Sequence, residues 1–181
     1  MAPRRLESAL TLFLDHVDSP LVDVHWELYP ERVPEQIPLS LTLLYPWIAP
    51  DALTEADLAG ARAFFAEQAP LEFQLTRVAE FPGVVAYAVP EPDGELRALM
   101  RALWAKYPDY PPYGRPGNEP APHATLGRLE GDDAITLERA KRRVEPLLPV
   151  RCDVRHVTLM EMYELDRWRV RETFPLAAAH A

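Results

Sequence analysis

The sequence predicts an α+β domain built on antiparallel sheets, and three observations carry that prediction. β-prone and helical runs alternate irregularly, and several neighbouring strands join as hairpins. The 20 prolines are scattered as punctuation between short elements and form no tract. Two segments eighty-three positions apart, Ser40-Leu41-Thr42-Leu43 and His123-Ala124-Thr125-Leu126, echo each other as a loose twofold repeat.

The elements run in order. Ser8 to Leu14 (SALTLFL) is a short apolar β-prone run and the first strand. Pro20 to Tyr29 is a helix closed before Pro30. Ile37 to Leu44 is a buried strand that stops at Tyr45-Pro46, because proline cannot continue a central ladder. Thr54 and Asp57 form a variant capping box that opens a helix to about Gln68, with Leu58, Ala61, Arg62 and Phe65 at helical spacing. Leu71 to Glu80 alternates as a strand, Phe81-Pro82-Gly83 turns the chain, and Val84 to Val89 returns. Glu95 to Tyr107 is a helix with Leu96, Leu99, Met100 and Leu103 on one face.

Pro108 to Pro122 is a loop with six prolines, two glycines and two tyrosines that delivers the chain into His123. Loops of this length inside compact domains are often functional. A helix from Asp133 to Pro146, one strand from Pro149 to Tyr163 and a last strand from Trp168 to Phe174 complete the order.

A length of 181 residues suits a single domain over 1–181, with 177–181, including His180, as a flexible tail. The net charge of −9 argues against a long nucleic-acid tract as partner, since binding one needs surplus Lys and Arg. A local cleft can still take a small anion. The single cysteine, Cys152, cannot form an internal disulfide, and no apolar run is long enough for a signal core or a membrane span. The expectation is a soluble cytoplasmic protein with no membrane partner; no feature specifies an oligomeric state.

In a strand, residues i and i+2 share a face. Ser40 and Thr42 therefore face one way, as do His123 and Thr125, with apolar residues behind them. Side by side, the two strands would converge four polar side chains on one concavity. Hydroxyls donate to phosphate oxygens, and a histidine near neutrality moves the proton of an alkoxide leaving group.

At these residues the chain resembles the 2H phosphoesterases, the 2′-5′ RNA ligase-like proteins, which carry two His-x-Thr/Ser-x motifs on facing strands. The resemblance extends through SALTLFL, LTLLYPW, FPGVVAYAVPEP, YPDYPPYG and then PHATL, and VTLMEMYELDRWRV, covering most of residues 8 to 176. It implies a bilobal, pseudo-twofold arrangement of antiparallel sheets flanked by helices around a central cleft, with the two lobes intertwined. It also implies that His123 and Thr125 match the second motif, that Thr42 matches the first motif's hydroxyl residue, and that Ser40 stands where the first histidine belongs.

By resemblance, the chain is expected to be a phosphoesterase acting, with impaired activity, on a small nucleotide or short RNA end. Its substrate would bear a 2′,3′-cyclic or 2′-5′ phosphodiester, and no metal or other cofactor is needed. His123 and Ser40 take the catalytic positions, and Thr42, Thr125, Tyr45 and Tyr87 the substrate-binding ones. A serine without a base beside it cannot activate water at neutral pH, so whether the chain is an enzyme at all stays open. The alternative is a nucleotide- or phosphate-binding module that kept the cleft and lost turnover.

Bland readings stand beside these. His123 also suits a half-buried strand histidine, and Thr42 and Thr125 are ordinary strand formers. Tyr45, Tyr87, Tyr110 and Tyr113 suit packing as well as base stacking. Arg115 reads as exposed and Trp168 as packing for the last hairpin. His156-Val157-Thr158-Leu159 matches the motif as a tetrapeptide but lies only thirty-three positions after His123. His16 and His25 read as exposed histidines of a turn and an early helix. No Gly-rich phosphate loop, GxSxG elbow or zinc spacing occurs.

Overall fold

A computed structural model describes residues 5–14, 20–30 and 37–178. His16, His180 and the end of the expected tail lie outside these described residues. The order is β1 (Ser8–Phe13), α1 (Leu21–Leu28), β2 (Ser40–Leu44), α2 (Glu55–Ala66), β3 (Leu71–Phe81), β4 (Val85–Glu91), α3 (Gly94–Lys106), β5 (Ala124–Arg128), α4 (Leu137–Val144), β6 (Val150–Val154), β7 (His156–Glu164) and β8 (Arg167–Pro175).

All eight strands form one sheet in the order β6-β3-β4-β5-β2-β1-β7-β8. Every pairing in it is antiparallel. The order divides into two four-strand halves, β8-β7-β1-β2 and β6-β3-β4-β5. In each half the innermost strand pairs outward with the strand before it in the chain, β2 with β1 and β5 with β4. The halves meet at β2 and β5, where Leu41 pairs with Ala124. The fold is therefore α+β with a pseudo-twofold centre at that seam.

Apolar periodicity explains the helices. In α2, Thr54 and Asp57 cap each other reciprocally, with Thr54 N donating to the Asp57 carboxylate at 2.9 Å. Leu58, Ala61 and Phe65 form its buried stripe, and Phe65 stacks on Phe174 of β8 with ring centroids 5.5 Å apart. Each such fully buried side chain contributes roughly 1.5–3 kcal/mol by leaving water. Arg62 is a correction to the stripe: it faces solvent and pairs with Glu55 and Glu172. In α3, Leu96, Leu99, Met100 and Leu103 are buried, and Trp104 Nε1 donates to the Leu43 carbonyl at 2.8 Å, tying that helix to β2.

Two further expectations need correction. Residues 149–163 are not one strand, because β6 pairs with β3 while β7 pairs with β1 in the other half. The alternation slips phase between them: Cys152 and Val154 are buried, then Val157 and Leu159. A single strand cannot bury both sets on one face. The helix expected from Asp133 starts only at Leu137, where the Thr136 hydroxyl caps it by accepting from Arg139 N at 3.1 Å.

The helices sort by half. α2 packs on β8 and α3 on β2, whereas α4 packs on β3 and α1 on β5 and α4. Helix α1, which lies between β1 and β2 in the chain, thus packs on the opposite half. Gly127 in β5 permits this, since a Cβ there would stand 2.7 Å from the Leu28 carbonyl and 2.6 Å from Ile135 Cδ1.

Candidate functional site

The seam sets the geometry. Leu41 and Ala124 are fully buried partners. Extending that antiparallel register one residue each way puts Ser40 across from Thr125 and Thr42 across from His123. All four are half-buried while their apolar neighbours are buried, the alternation expected of one shared polar face.

β4 extends the face, because Tyr87 pairs with Thr125. The His123 ring lies edge-on to Phe81, with centroids 4.9 Å apart, and to Tyr87 at 5.5 Å. Its Nδ1 is 2.7 Å from the Ala121 carbonyl. A carbonyl only accepts, so Nδ1 carries the hydrogen and Nε2 of the neutral ring keeps its lone pair. Burial lowers the His123 pKa, opposed by the Ala121 hydrogen bond. Burial therefore favours the neutral form of this ring.

Ser40 and Thr42 of β2 and Thr125 of β5 line a small pocket together with His25, Tyr29 and Pro38. The expectation of an exposed His25 is corrected here, since the residue is 2% exposed. The signal is present in the sequence. Leu21, Val24, His25 and Leu28 share the i, i+3, i+4, i+7 stripe of α1, and all four are buried.

The remaining candidates scatter. His156 is exposed at the start of β7, two strands from β2 and across from Pro175 of the edge strand. Tyr45 lies beyond β2, donates its hydroxyl to the Glu7 carboxylate, and meets Tyr113 and Trp168 at centroid distances of 6.1 and 6.4 Å. Tyr110 packs on the main core, and Trp168 joins a second buried cluster with Met160 and Met162. Arg115 is exposed.

Beside His123, a second pocket of about 200 Å³ is lined by Arg77, Tyr87, Val89, Glu91, Arg97 and Pro122, among others. Arg97 Nε is 2.6 Å from Asp93, and Arg77 is 3.8 Å from Glu91. Cations and carboxylates are therefore balanced there. Among the described residues, no group of three or more His, Cys, Asp or Glu side chains could hold a metal ion, and no helix is long and apolar enough to cross a membrane.

Comparison with known proteins agrees with this architecture. Among solved structures, one described as a phosphoesterase aligns at 16% identity over 97% of this chain and 100% of its own, with a TM-score of 0.59. E. coli LigT in apo form aligns at 18% identity over 97% and 100%, with a TM-score of 0.57. LigT complexed with 3′-AMP aligns at 16% identity over the same shares, with a TM-score of 0.54. At these identities the likeness establishes the fold. No curated protein matches the sequence significantly. The family model of the 2′-5′ RNA ligase superfamily, however, matches residues 15–166, most of the length, and this chain belongs to that superfamily.

Proposed function

We propose that this protein is a phosphoesterase of small nucleotides or short RNA ends carrying a 2′,3′-cyclic or 2′-5′ phosphodiester, slowed by serine at the first motif position. The observation that supports this reading is the seam pairing of Leu41 with Ala124, whose register, extended one residue each way, would turn His123, Thr125, Ser40 and Thr42 toward one polar face. His123 Nε2 takes the proton of the attacking water. Thr42 and Thr125 donate to the phosphate oxygens without adding charge. Tyr87, beside the His123 ring, offers an aromatic face to a base. A nucleotide-sized ligand is supported by the 3′-AMP bound to the related LigT. A cytoplasmic setting fits Cys152, a lone buried thiol pushed up to about 12 by burial.

The test is hydrolysis of 2′,3′-cyclic nucleotides by the native chain, His123→Ala and Ser40→His. The native chain should turn over slowly, His123→Ala should lose roughly 10²–10⁴ in rate, and Ser40→His should gain. Activity indifferent to His123→Ala would overturn the site. Ser40, a hydroxyl where the family has an imidazole, favours a second reading as a nucleotide-binding module. Binding by the native chain with hydrolysis only in Ser40→His would establish that reading instead.

A further inference from the structure

The polar face continues past His123. Tyr87, Val89 and Glu91 of β4 alternate with the buried Ala88 and Pro90, and Tyr87 pairs with Thr125 of β5. Arg77 of β3 pairs with Val89, so β3 carries the same face one strand further. Ala121 and Pro122, the two residues before His123, close the other side. These residues enclose the pocket of about 200 Å³, which shares Tyr87 with the His123 ring, 5.5 Å away by centroids. Pockets that bury a whole small ligand span roughly 300–1,000 Å³, so this one suits a single flat group of a larger substrate.

Its two ion pairs differ. Arg97 donates to Asp93 at 2.6 Å and to the Pro120 carbonyl, which commits it to the start of α3 and the incoming loop. Arg77 and Glu91 stand 3.8 Å apart, beyond hydrogen-bond distance. Glu91 accepts from the Thr76 hydroxyl at 2.6 Å through Oε2, and Oε1 is the oxygen nearest Arg77. A guanidinium and a carboxylate thus line one pocket without being hydrogen-bonded to each other. A second phosphate there would meet the carboxylates of Glu91 and Asp93, whereas a neutral group with acceptors and donors side by side satisfies both signs.

We propose that this pocket selects guanine, Arg77 donating to O6 and N7 of the base and Glu91 accepting from its N1–H and N2 amino group. The assignment rests on the proposed function, with the phosphate at His123 and the base beyond Tyr87. A guanidinium pairs bidentately with guanine O6 and N7. Of the four bases only guanine also carries two adjacent N–H groups on one edge, the pattern a carboxylate accepts. O6 lies beside N1, so the two contacts fall next to each other around the ring, as Arg77 and Glu91 do in the pocket. Each carboxylate oxygen has two lone pairs, so the Thr76 hydrogen bond leaves Glu91 able to accept more. Tyr87 supplies an aromatic wall between phosphate and base.

The deciding experiment compares hydrolysis of the four 2′,3′-cyclic nucleotides, and calorimetric binding of 3′-GMP and 3′-AMP, in the native chain, Glu91→Gln, Arg77→Met and His123→Ala. On the native chain, the guanine substrate should have the lowest KM by about tenfold, and 3′-GMP should bind tighter than 3′-AMP by a similar factor. Glu91→Gln turns a donor toward the N–H edge of guanine, so it should raise the guanine KM about tenfold and flatten the ranking, with the loss in KM and not in kcat. Arg77→Met keeps the apolar stem without the donors and should narrow the ranking in the same way. Another base ranked first, equal KM values for all four, or a ranking that Glu91→Gln leaves intact would overturn the guanine pocket while His123-dependent hydrolysis stands. If the chain binds without cleaving, the 3′-GMP and 3′-AMP pair decides: tighter 3′-GMP supports the pocket, and equal affinity overturns it. A chain that neither cleaves nor binds any of these nucleotides would overturn the proposed function, and the pocket with it.

Discussion

The two halves of the sheet share a strand plan and differ in how each holds its polar face. On the β5 half, the imidazole stands one residue before the strand, tied by Nδ1 to Ala121 and flanked by Phe81 and Tyr87. On the β2 half, the equivalent position is Ser40, and the nearby imidazole comes from α1, a helix seated on β5 and α4 of the other half. The backbone repeat is thus preserved while the chemistry is not. Pairing and alternation fix where a polar group must face, but local packing decides which group can stand there. With Ser40 on the half-buried face, its neighbours Leu41 and Leu43 still lie in the core.

The seam is the sharpest place to test that separation. Leu41 is fully buried, and its partner Ala124 has only a methyl group with which to fill a gap. Leu41→Ala should cost about 2–5 kcal/mol, measured by urea unfolding at unchanged m-value. The core cluster runs through both halves, so unfolding should remain a single transition. Two transitions would show that the halves are independent units and break the comparison.

Gly127→Ala probes the crossing helix. A methyl there meets the Leu28 backbone carbonyl, which cannot swing aside as a side chain could. Overpacking of this kind costs about 1–3 kcal/mol. The expected result is a loss of that size, with faster hydrogen exchange in α1 than in α2, which packs on β8 of the other half. Uniform exchange across both helices would mean that α1 is not held through β5.

The fold was largely legible in the sequence because each half announces itself by local pattern: the capping box at Thr54, the alternation through Leu71, Phe73 and Leu75, the turn at Gly83. The position of His123 came from the same alternation. What local pattern hides is which distant segments meet. The run through Arg155 contains no breaker, and only its phase slip marks the passage from one half to the other. His25 sits on an apolar stripe, but nothing nearby in sequence says that α1 packs on β5, a strand about a hundred residues later. Tyr45 lies three residues from Thr42, yet it turns toward Trp168, in the second cluster on the same half.

The smallest expected effect concerns charge on His123. Its pKa is lowered by burial, so the folded chain binds its proton less readily than the unfolded chain, whose histidines titrate near about 6.5. Above that value the group is neutral in both states and contributes no pH dependence. As pH falls through it toward the lower folded value, the unfolded chain gains a proton that the folded chain refuses, and stability drops. His123→Gln removes this contribution, so its denaturation midpoint should fall less between neutral and mildly acidic pH than that of the native chain. The contrast with position 40 sharpens the point. Ser40→His adds an imidazole to the same half-buried face, across from Thr125. If burial on this face is what depresses His123, that variant should steepen the acid limb. Parallel pH curves for all three proteins would instead place the His123 penalty in its own aromatic surroundings, Phe81 and Tyr87, and not in the shared face of the seam.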